Sequence, residues 1–139
     1  MGSWEEDLKK VPKSLNVKEC YAKIYDWHKT YGQVEVNGGR KKNDTYVRAY
    51  LDFLEKIPPP EVASQEDMDL VFYEVISMLM EWSYHEIDDG GIKLAAYAYY
   101  AIEVRYGSGA FHNSEFQASV RKSSLYPAFG STNWKGRYG

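Results

Sequence analysis

The sequence predicts an all-α protein, an irregular bundle of about five helices around a central helix near 65–89, followed by an extended C-terminal arm. Three observations carry this. Apolar residues recur at three- and four-residue steps through most of the chain, the spacing of one helix face. The stretch from Ser64 to Gly90 is apolar around most of its circumference, as a helix covered on several sides must be. From Ser123 onward the pattern gives way to Pro127, three glycines and four aromatics (Tyr126, Phe129, Trp134, Tyr138). The expected organisation is one helical domain over 1–122 and a basic, aromatic arm over 123–139.

In chain order, Ser3-Trp4-Glu5-Glu6 fits a capping box and predicts a short helix to about Lys10, broken by Pro12 and Ser14. Asn16-Val17-Lys18-Glu19 starts a second helix, with Val17, Cys20, Tyr21, Ile24, Trp27, His28 and Tyr31 along one face and Gly32 at its end. Residues 33–43 form a connector. Val34-Glu35-Val36 before Asn37-Gly38-Gly39 allows a small hairpin, but Arg40-Lys41-Lys42 favours an exposed loop. Its glycines and cations lack the strand, helix and Lys-Ser/Thr ending of a phosphate-binding loop. Asp44 caps a third helix whose inner face is Tyr46, Val47, Tyr50, Phe53, Leu54 and Ile57. Pro58-Pro59-Pro60 stops it and makes a stiff corner.

Ser64 caps the central helix, and Glu66, Asp67 and Asp69 put negative charge at the positive end of its dipole. Met68, Val71, Phe72, Val75, Leu79 and Trp82 make its main apolar face. Gly90 and Gly91 are expected to terminate it and to link it tightly to an antiparallel fifth helix over Lys93 to Tyr106. Four alanines there (Ala95, Ala96, Ala98, Ala101) let a neighbouring helix approach closely. Gly107-Ser108-Gly109 ends the fifth helix, and Ser114 to Val120 is a last short one capped by Asn113 or Ser114.

With 139 residues, 44% hydrophobic and 27% charged, the chain suits one folded domain with a real core and excludes a disordered body. Thirteen tyrosines fit partial burial, in a core or in a contact surface. One cysteine, Cys20, rules out an intramolecular disulfide and fits a reducing compartment. No apolar leader is visible, and no apolar run nears the ~20 residues that span a bilayer. A soluble, cytoplasmic protein without membrane contact is the expectation. The net charge of −3 hides a division. Residues 57–92 hold nine acids and no Lys or Arg, whereas 116–139 hold Arg121, Lys122, Lys135 and Arg137 and no acid.

No motif names a reaction. His28-Lys29-Thr30 and His112-Asn113-Ser114 are two His-x-Thr/Ser triplets. They resemble the signature of the two-histidine phosphoesterases, which implies that His28 and His112 act as acid and base on a phosphodiester. In that family each triplet sits on a β-strand of a two-lobed α+β fold, a context this helical pattern does not supply. Glu74, Glu81 and His85 fall on one helical face, and Glu81 and His85 have the i, i+4 spacing of metal ligands. No second His-bearing helix matches them, so no metal and no cofactor are expected. Glu86 to Asp89 is similar to one half of the paired-acid pattern of helical nucleotide pyrophosphatases, but the partner Glu-x-x-Glu helix is missing. Neither Cys20 nor any serine has a base at recognisable spacing, so no covalent nucleophile is assigned.

The reading is therefore a non-enzymatic module for protein–protein interaction. Inhibitor, immunity and virion-assembly proteins share its general character. Its expected tools are an acidic face (Glu74, Glu81, Glu86, Asp88, Asp89) and the basic aromatic arm (Arg121, Lys122, Tyr126, Phe129, Trp134, Lys135, Arg137). Opposite charges on one chain also permit a homo-oligomer. The first alternative is a small nucleic-acid-binding protein, whose tail cations meet phosphates while its rings stack on bases. The second is the phosphoesterase using His28 and His112.

Overall fold

The structure is a computed structural model that describes residues 16–32, 52–81 and 89–126. Side chains are described within these ranges except at 31–32, 78–81 and 89–92. The regular elements are α1 (Val17–Trp27), continued by one π-helical stretch (His28–Gly32), then α2 (Gln65–Glu81), α3 (Asp89–Tyr106), a 3₁₀ turn (Ala110–His112) and α4 (Ser114–Lys122). Residues 52–56 are also helical, and among the described residues there is no strand. The protein is all-α.

The helices α1, α2 and α4 each start where the sequence offers an oxygen to free backbone donors. At α1 the Asn16 side chain accepts from the Glu19 amide at 2.8 Å, and its own amide donates to Glu19 Oε1 at 3.0 Å. At α2 the Ser64 hydroxyl accepts from the Asp67 amide at 3.1 Å. At α4 Asn113 Oδ1 accepts from the amides of Glu115 (2.7 Å) and Phe116 (3.1 Å), which makes Asn113 rather than Ser114 the cap. Gly107 ends α3 with φ +86°, a left-handed conformation that a Cβ would strain. Its amide donates to the Glu103 carbonyl at 2.8 Å.

The helix α2 is central, in contact with α1, α3 and α4. From Asp67 to Ile76 only Tyr73 is not fully buried, so the run is enclosed on nearly all sides. The Tyr106 hydroxyl at the end of α3 bonds to Asp69 in the first turns of α2. The two helices therefore run antiparallel, as the sequence predicts. All four alanines of α3 are buried, and α3 packs against both α1 and α2.

Two details depart from the sequence reading. Gly90 and Gly91 do not cap α2; they lie in the first turn of α3, which begins at Asp89. First-turn amides have no helical partner, so glycine disrupts less there than in a helix interior. The described extent of α2 stops at Glu81, and residues 82–88, with Trp82 and His85, lie outside the described residues. The proline triplet is a turn as well as a spacer. The Pro59 carbonyl accepts from the amides of Val62 (3.1 Å) and Ala63 (3.0 Å), and the Pro58 carbonyl accepts from the Tyr21 hydroxyl at 2.6 Å. The predicted helix at 3–10, the hairpin or loop at 33–43 and the start of the third helix also lie outside the described residues.

Aromatic rings fill the core on either side of the middle of α2, at Phe72 and Tyr73. Tyr21 meets Phe72 edge-on at 6.2 Å, and His28 lies 5.2 Å from Phe53 and 5.4 Å from Trp27. On the other side, Phe116 contacts Tyr73 (6.1 Å), Tyr106 (5.2 Å) and Phe111 (5.7 Å), joining α2, α3, the 3₁₀ turn and α4. Much of the described tyrosine content thus serves packing.

Candidate functional site

The densest polar constellation is built on the first turns of α2. Asp67 and Asp69 are both buried, and each takes hydrogen bonds from distant parts of the chain. Asp67 Oδ1 accepts from the Ser123 hydroxyl (2.9 Å), the Ser124 amide (3.0 Å) and the Ser124 hydroxyl (2.6 Å). The Ser123 oxygen in turn accepts from the Leu125 amide at 3.1 Å. Asp69 Oδ1 accepts from Gln65 Nε2 at 2.9 Å, and its Oδ2 from the hydroxyls of Tyr106 and Ser119. Two carboxylates of one helix end thus fasten α3, α4 and the turn after α4. The electrostatics favour them: negative charge at a helix N-terminus is stabilised by the dipole. Burial pushes the Asp67 carboxyl up. The hydroxyls of Ser124, Ser123 and Ser64 and the Ser124 amide outweigh this, and the net pKa is below the ordinary carboxylate value. Burial, then the bond to Asp69, raises the Tyr106 hydroxyl, so it stays a protonated donor.

Sequence reasoning assigns these acids only a dipole role. Two residues apart, they point to different neighbours, and the serines that bind Asp67 lie 56 and 57 positions away. No local spacing announces such contacts. The residues directly after α4 also pack on the body. Ser123 and Leu125 are buried and Tyr126 packs against the core. The cause is the Asp67 contact together with burial of the Leu125 side chain.

The predicted contact residues divide clearly. Arg121 and Lys122 are exposed in the last turn of α4. Tyr126, predicted as part of the basic aromatic arm, is half-buried. Glu74 does not belong to an outer acidic face, because its side chain is 1% exposed within the enclosed part of α2. Glu81 and Asp89 end and begin helices, without described side chains. Glu86, Asp88, Phe129, Trp134, Lys135 and Arg137 lie outside the described residues.

The two histidines differ in setting. His28 is 1% exposed between Trp27 and Phe53. Burial, then the Lys29 cation, brings its pKa down to about 3, so it is neutral at pH 7. His112 is exposed in the 3₁₀ turn, which contacts α3 and α4. Burial, then the Glu19 charge, pushes the Cys20 thiol up to about 11, far from the range of a reactive thiolate. Among the described residues no cluster of three or more His, Cys, Asp or Glu side chains could hold a metal ion. In the same residues no helix is long and apolar enough to cross a membrane. Compared with known proteins, the chain matches no family model, and no curated protein or solved structure is significantly similar to it.

Proposed function

We propose that this protein is a non-enzymatic interaction module that binds a protein partner chiefly through the basic, aromatic residues that follow α4. The observation that supports this reading is the fixed root of that segment. Ser123 and Ser124 are bonded to Asp67 and Leu125 is buried, so the chain is anchored immediately before residues 127–139, and Arg121 and Lys122 are exposed at the end of α4. Fixing one end of a binding segment lowers the ordering cost of association. Lys135, Arg137, Phe129 and Trp134 then offer charge and rings, the residue types enriched in interface centres. The partner surface they suit is acidic with apolar pockets. Inhibitory, immunity or assembly roles in the cytoplasm, and self-association through opposite charges, fall within this reading.

A second reading draws on the same cations: Arg121, Lys122, Lys135 and Arg137 interleaved with aromatics also suit single-stranded nucleic acid. The phosphoesterase reading draws no support from a His28 enclosed by aromatic rings. A pull-down with the full chain, with and without nuclease, separates the first two. A stoichiometric protein that survives nuclease supports the module. Recovery of nucleic acid alone, or of proteins lost on nuclease treatment, replaces it with the second reading.

A further inference from the structure

We propose that Ser124 is a phosphorylation site whose modification loosens the turn after α4 on the central helix. Three features meet there. Ser124 is exposed, whereas its neighbour Ser123 is 3% exposed. Exposed Arg121 and Lys122 precede it, two cations that an acidic substrate groove of a basophilic Ser/Thr kinase attracts. Its hydroxyl also donates to Asp67 Oδ1 at 2.6 Å, so the oxygen that would carry phosphate already touches a buried carboxylate.

The chemistry is a transfer of the γ-phosphoryl group of ATP. The bond from the γ-phosphorus to its bridging oxygen breaks, a bond from Ser124 Oγ to phosphorus forms, the hydroxyl proton passes to the kinase's base, and ADP leaves. The product has lost the donor that Asp67 accepted and carries nearly two negative charges beside that carboxylate. Like charges at this distance cannot keep the contact, so Ser124 swings outward, where Arg121 and Lys122 can pair with it. Loss of the Ser124 amide bond follows, so the turn keeps only the Ser123 bond of the three that tie it to Asp67. The inference does not depend on what the arm binds.

The test uses the full chain, ATP and the catalytic domain of a basophilic Ser/Thr kinase, read by intact mass, peptide mapping and hydrogen exchange. The expected result is one phosphoryl group, on Ser124, none on Ser124→Ala, and slower transfer to the double variant Arg121→Ala/Lys122→Ala. Exchange at the Ser124 amide should rise roughly tenfold or more on modification, the effect of losing one bond to a charged acceptor. Asp67→Asn, with helicity checked by circular dichroism, should accept phosphate faster than the parent chain, because opening precedes capture. Absence of Ser124 modification in both chains while a control peptide is modified overturns the proposal. So does phosphorylation that leaves the Ser124 amide protected.

Discussion

Replacing Asp67 with alanine probes the contact that fixes the end of the body. The substitution removes one oxygen that accepts from three donors: the Ser123 hydroxyl, the Ser124 amide and the Ser124 hydroxyl. Hydrogen bonds to charged groups contribute about 1.5–3 kcal/mol each, but three sharing one acceptor do not add. Ser124 is exposed, so its two donors return to water at little cost. Ser123 is buried, and leaving its hydroxyl without that acceptor costs about 1–3 kcal/mol. Loss of the anion at the N-terminus of α2 adds about 0.3–1 kcal/mol. The expected destabilisation is therefore about 1–4 kcal/mol. Urea unfolding followed by circular dichroism measures it, with an unchanged slope if only the folded state is affected. A double-mutant cycle with Ser123→Ala should return a coupling of about 0.5–3 kcal/mol. A loss below about 0.5 kcal/mol, the range of an ordinary surface substitution, would refute the reasoning.

Four further outcomes are expected. Tyr106→Phe removes one donor from Asp69 but leaves Ser119 and Gln65 in place, and should cost about 1–2 kcal/mol in the same unfolding assay. Ala98→Leu inserts volume into a fully buried position of α3, and should cost about 1–3 kcal/mol by thermal unfolding. Acid should destabilise the chain in two stages. The folded His28 takes its proton only near pH 3 rather than 6.5, so its contribution is complete above 6.5 and drains as pH falls toward 3, by at most about 1.4 kcal/mol per pH unit. Asp67, with a lowered pKa, adds its loss only below the ordinary carboxylate value of 3.8; His28→Gln should flatten the first stage alone in pH-dependent urea titrations. Cys20, buried with its thiol raised to about 11, should react with a thiol reagent only at the rate of unfolding, and rapid reaction in native buffer would contradict its placement.

The sequence carries the fold well, for a physical reason. Helix caps and apolar periodicity are local, and Asn16, Ser64 and Asn113 each announce a helix start that the structure contains. The four alanines of α3 likewise announce a buried face. What the sequence conceals is long-range pairing. Glu74 reads as an exposed acid because most glutamates are, yet its helix is enclosed on that side too. Asp67 and Asp69 read as dipole partners because nothing nearby in sequence marks Ser123 or Tyr106 as their donors. Gly90 and Gly91 read as a helix end because glycine suits a C-terminal cap, although a first helical turn also accepts it. Ser123 to Tyr126 read as arm because serine and a nearby proline resemble linker composition, while Leu125 alone signals burial.

The most direct measurement compares two baits, the full chain and a chain ending at Tyr126, which keeps Ser123, Ser124 and Leu125 and so preserves the body. Both are used to capture partners from source-cell extract after nuclease treatment, with amounts read by quantitative mass spectrometry. The account predicts a stoichiometric protein on the full chain, depleted at least about tenfold on the shorter one, a loss of about 1.4 kcal/mol or more in affinity. Equal capture by both chains, with both shown to be folded, would contradict the role assigned to residues 127–139.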